Sequence, residues 1–182
     1  MERYLFKEVN ESFHNNSKLS TFDFFCIVIW KANRAKSKIA KKLLDRDKDS
    51  TPKRTLGELV ADLTSSIYHA ENDKKRMWIM LEDWKFRLPM ASAILTVLYP
   101  EKFTVYDVRV REMIGSPDVQ DKRFEELWNG YQDYLKKVEE YEPSVSDLRD
   151  KDRILWAKSF EKQLVNDIVS NFARQPTDLE DD

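Results

Sequence analysis

The chain has 182 residues, 41% hydrophobic, 35% charged and 12% aromatic, which is long enough to bury the core of one domain and too apolar for a disordered chain. Three glycines and six prolines leave little turn material for a β-sandwich, so an all-α fold with one domain over 1–182 is expected. The net charge of −2 is segregated: Lys31 to Arg54 sums to +7 and Ser116 to Asp182 to −7, so a polyanion would be drawn to one basic segment and not to the whole surface. One cysteine, Cys26, excludes an intramolecular disulfide and a four-thiolate iron–sulfur site. No apolar run reaches the roughly 20 residues that span a bilayer, and Met1-Glu2-Arg3-Tyr4 lacks a signal-peptide profile. A cytoplasmic protein without a membrane partner is the expectation.

Residues 1–19 read as polar and irregular. Ser20 or Thr21 caps a helix running from Phe22 to about Leu44, with Asp23 in its first turn and a break near Asn33. Its first half is apolar all round, which places it in the middle of the fold, and its second half is basic. Residues 45–54 read as a mobile loop. Thr55-Leu56-Gly57-Glu58 is a capping box opening a helix to about His69. Asn72 caps the next, Asp73 to Trp84, with a core stripe of Met77, Met80, Leu81 and Trp84.

Leu88 to Leu98 forms an apolar helix stopped by Tyr99-Pro100, and Phe103 to Tyr106 is an extended link. Asp107 stands at the N-cap of a short helix to Ile114, with Gly115 and Pro117 as its stop signal. Two longer amphipathic helices, Asp121 to Glu140 and Ser146 to Phe172, flank Pro143, and 175–182 is an acidic tail. About eight helices and no sheet result.

Residues 81–114, LEDWKFRLPMASAILTVLYPEKFTVYDVRVREMI, place a helix, a three-residue connection, a small-residue helix, a proline link and an aspartate-capped helix in succession. This order, with Val105-Tyr106-Asp107-Val108-Arg109-Val110, resembles the helix-hairpin-helix DNA glycosylase superfamily, whose members carry V-D-x-x-V at a helix start. The resemblance covers about 35 residues and implies a multi-helix glycosylase-type fold with Asp107 as the catalytic carboxylate. Pro89, 18 residues before Asp107, occupies the position where members with lyase activity carry a Schiff-base lysine, so a monofunctional enzyme without a cofactor is implied. Two residues depart from the family pattern. Lys85-Phe86-Arg87 replaces the glycines that let hairpin amides approach a phosphate, and Glu112 stands where arginine is expected, next to Arg111. A weaker likeness, Leu148 to Trp156, looks like the closing helix of small uncharacterised proteins that share the hairpin region.

Breaking an N-glycosidic bond builds positive charge on the sugar, so a carboxylate beside C1′ stabilises the transition state more than the ground state. Asp107 suits that task, since the helix dipole and free N–H groups favour its ionised form, although the same residue type also serves as a plain N-cap. Extruding a nucleotide requires apolar surfaces that hold the base. Trp30, Lys31 and Trp84 are the candidates for a base pocket, and the two tryptophans also suit a plain core, where tryptophan packs well regardless of ligand. Lys85, Arg87, Lys102, Arg109 and Arg111 are the candidates for phosphate contacts with double-stranded DNA carrying a damaged or modified base. His14 and His69 form no metal motif, and no phosphate-binding loop or dinucleotide fingerprint is present. Two other readings fit the same residues: a DNA-binding module without catalysis, and a helical interaction domain whose basic segment docks an acidic partner.

Overall fold

The computed structural model describes residues 1–172; the expected acidic tail, 175–182, lies outside them. The described residues are helical, with no strand among them. Among the described residues nine α-helices follow in chain order. α1 (Asn10–Asn16), α2 (Thr21–Ala32), α3 (Lys36–Arg46), α4 (Leu56–Tyr68) and α5 (Asp73–Trp78) form the N-terminal half. α6 (Leu88–Leu98), α7 (Val108–Met113), α8 (Phe124–Glu140) and α9 (Leu148–Asp167) complete it. Among these residues no helix is long and apolar enough to cross a membrane.

The expected irregular N-terminus is helical instead. A π-helical turn, Tyr4–Val9, runs straight into α1 and buries Leu5, Val9 and Phe13. These residues recur every four positions, the spacing of one helix face, and the charged residues between them mask the stripe in composition. The centre of the fold also differs from the expectation. α6 is the helix enclosed on nearly every side, with all its residues but Pro89 buried, whereas α2 leaves Phe22 70% exposed and packs one face on α6 and α4. Small residues explain the exchange, because Ala91, Ser92 and Ala93 let neighbours approach α6 closely.

Local signals place most helix starts where the sequence puts them. The Ser20 hydroxyl accepts the Asp23 N–H, and the Asn72 side chain accepts that of Lys75. Thr55 and Glu58 form the complete capping box, worth about 1 kcal/mol for its Thr half alone. The long helix breaks at Ala32, whose non-helical backbone leads into a 3-10 turn, Asn33–Ala35, before the basic α3 begins. The loop after α3 is tied at its base: buried Asp47 accepts the Arg54 N–H and the Arg54 guanidinium.

Residues 103–106 form a buried extended link, and buried amides outside a helix need partners. Side chains of α6 and α8 supply them. Tyr131 Oη accepts the Thr104 N–H at 3.1 Å and donates to the Thr104 carbonyl at 2.7 Å. Tyr134 Oη donates to the Val105 carbonyl at 2.8 Å, and Ser92 Oγ accepts the Tyr106 N–H at 2.8 Å. This anchored link delivers Asp107 to the start of α7.

Candidate functional site

Asp107 caps α7, its Oδ1 accepting the Arg109 N–H at 3.0 Å. Its other oxygen, Oδ2, lies 2.9 Å from the ammonium of Lys31 at the end of α2, each side chain about one-fifth exposed. Burial pushes the carboxyl up, but the Lys31 charge and hydrogen bond, the Arg109 N–H and the Arg109 charge outweigh it. The Asp107 pKa therefore falls below the ordinary aspartate value, and the group is a carboxylate at neutral pH.

Asp107 opens onto a cavity of about 350 Å³, near the lower end of the roughly 300–1,000 Å³ usual for small-molecule sites. Trp30 and Trp156 line it, together with Lys31 and Arg109. Trp30 packs its edge on Phe6 with ring centroids 5.7 Å apart, and the Arg149 guanidinium lies over both rings at 5.2 and 5.1 Å. Such contacts fix the Trp30 plane by packing and cation–π attraction. Trp156 stacks on Phe160, 43% exposed, with the Arg109 guanidinium 6.0 Å from its ring. Arg109 also donates to Gln163 at 3.1 Å, which turns it toward α9.

Besides Glu2, Asp152 brings a further carboxyl to this cavity. It is 3% exposed, and Arg149 bridges it to Glu2 by pairing with both carboxylates. Burial pushes the Asp152 pKa up to about 6; Arg149 and Lys31 pull against that, and the nearby Asp107 charge adds to it. One cavity thus holds a carboxylate that is charged at neutral pH and a carboxyl whose proton exchanges near pH 6.

The expected phosphate contacts fall in several places. Lys85 and Arg87 are exposed on the turn between α5 and α6, where Lys85 adopts the left-handed backbone conformation at φ 56°. α3 buttresses this turn: Lys42 donates to the Lys85 carbonyl and Arg46 to that of Asp83. Burial lowers the Lys42 pKa, and the like charges of Lys38 and Arg87 lower it further, so the basic segment and the turn form one cationic face. Lys102 is exposed in the turn that follows α6. Arg111 lies 3.8 Å from Asp118 and 4.0 Å from Glu112, so its charge is already balanced within the protein.

Trp30, Lys31, Asp107 and Arg109 therefore meet at one cavity. Trp84 does not line it: the ring is 5% exposed in the core, with the Arg46 guanidinium 4.5 Å from its centre. Glu2, Arg149, Asp152 and Trp156 escape sequence reasoning, because in a charged amphipathic helix buried Asp152 resembles its solvated neighbours Asp150 and Arg153. The likeness noted over Leu148 to Trp156 is the one signal that covers the last three. Among the described residues no His, Cys, Asp and Glu cluster is arranged to hold a metal ion. No protein-family model, curated protein or solved structure matches the chain.

Proposed function

We propose that this protein is a monofunctional DNA glycosylase that hydrolyses the N-glycosidic bond of a damaged or modified base. The observation that carries the reading is an ionised carboxylate at a helix N-terminus, set in a cavity walled by two tryptophans. An oxocarbenium-like sugar held against Asp107 gains charge stabilisation that the neutral ground state does not, in surroundings whose dipoles are already oriented. Trp30 and Trp156 offer flat apolar surfaces to an extruded base. The face formed by Lys38, Lys42 and Arg87, beside a Lys85 that pairs with Glu82, offers positive charge to the phosphate backbone.

Lys31 is engaged with Asp107, and Pro89 occupies the position of the lyase lysine, so water is the nucleophile in this reading and the product is an intact strand with an abasic site. The test is incubation with duplexes carrying damaged or naturally modified bases, scored for strand breaks before and after hot alkali. Breaks that need the alkali support the reading. Breaks without alkali would overturn the monofunctional assignment, and no breaks on any duplex would overturn base excision.

A further inference from the structure

Charge in the cavity is balanced: Lys31, Arg109 and Arg149 face Glu2, Asp107 and Asp152. Two of the cations are committed, Lys31 to Asp107 and Arg149 to the Glu2 and Asp152 pair. When Asp152 carries its proton the balance tips to one positive charge, which disfavours a cationic base such as an N7-alkylated purine, a base that leaves the sugar as a neutral molecule without help. A neutral base departs carrying the bonding electron pair and needs a proton to become a good leaving group.

Resting on the base-excision reading above, we infer that the Asp152 carboxyl is the proton donor to the departing base, and that the bases released are neutral ones. Asp152 comes from α9 and Asp107 from the start of α7, and these two helices pack against each other. The C1′–N bond breaks with its electron pair moving to the base, and the base nitrogen takes the proton of Asp152. Water adds its oxygen to C1′ and gives up a proton to the Asp107 carboxylate or to solvent. Asp107 then passes any proton it took to solvent and Asp152 regains one from solvent, so the net reaction consumes one water and yields the free base and the abasic sugar.

The groups facing Asp152 are Arg149 on its own helix, Lys31 from α2, Asp107 and Arg109 at α7, Glu2 at the N-terminus, and Tyr131 and Tyr134 of α8. Both tyrosines are held neutral by burial, and Asp107 is ionised well below pH 6. Asp152, unlike Asp107 and the two tyrosines, exchanges its proton in the range where the activity would be measured.

The experiment measures single-turnover release from duplexes containing hypoxanthine, 8-oxoguanine or N7-methylguanine between pH 5 and 9, using wild type and Asp152→Asn. The expected result is release of a neutral base by the wild type, with a rate that declines above about pH 6. In Asp152→Asn that release falls by at least ~100-fold, the usual scale of general acid catalysis, and the decline disappears. The wild-type profile needs no variant, so the test survives if Asp152→Asn does not fold. Wild-type release of N7-methylguanine alone, or equal rates and profiles in the two proteins, would overturn the inference while leaving base excision standing. No release by the wild type from any duplex would overturn both.

Discussion

Replacing Lys31 by Met removes the ammonium beside Asp107 while keeping most of the aliphatic stem. A charge-assisted hydrogen bond contributes roughly 1.5–3 kcal/mol, and the one-fifth exposure of both partners places this pair in the lower half, about 1.5–2 kcal/mol. For a chain of this length that corresponds to a drop in Tm of roughly 3–8 °C at pH 7. The pH dependence has a fixed sign. The folded Asp107 carboxyl titrates below its unfolded value, so its contribution is complete above about pH 4 and is lost as the pH falls through the folded value. The gap between wild type and Lys31→Met is therefore widest near neutrality and closes in acid, where Asp107 is protonated in both. Thermal melts followed by circular dichroism from pH 7 to pH 3 measure it. Equal Tm values at pH 7, or a gap that widens in acid, would refute the reasoning.

Two further predictions concern the frame around the site. Leu5→Ala should destabilise the protein by about 2–5 kcal/mol, because Leu5 is fully buried; an irregular N-terminus would predict a change within about 0.5 kcal/mol in the same urea titration. Lys85→Gly should stabilise it by about 1 kcal/mol, since a side chain at φ 56° carries a left-handed cost that glycine lacks, and an unchanged or lower urea midpoint contradicts that geometry.

Helix caps at Ser20, Thr55, Asn72 and Asp107 are legible in the sequence because each is a local pattern closed within three residues. The break near Asn33 and the stop at Tyr99-Pro100 are local in the same sense. The N-terminal helix is not legible from composition, because Leu5, Val9 and Phe13 are diluted by Lys7, Glu8 and Glu11. Half of the candidate site is visible in sequence: Asp107 by its cap position, Trp30 and Lys31 by their place at the end of an apolar helix. The other half depends on tertiary packing. Asp152 reaches the cavity because α9 packs on α7 and α8, and Arg149 is captured by Glu2 across 147 positions of sequence. The turn before α6 shows a related limit. A sequence without glycine there argues against a tight turn, yet Lys85 adopts the left-handed conformation with its carbonyl held by Lys42.

The most direct measurement is the single-turnover rate of base release by wild type and Asp107→Asn on whichever duplex the wild type releases a base from, with DNA affinity and Tm determined for both. Asparagine caps a helix about as well as aspartate, so the variant should fold and bind DNA, with Tm lower by several degrees from the loss of the Lys31 pair. The predicted result is a fall in release of at least ~100-fold, the scale set by removing one transition-state charge partner. Release at the wild-type rate by folded, DNA-bound Asp107→Asn would contradict the assignment of Asp107 as the catalytic carboxylate.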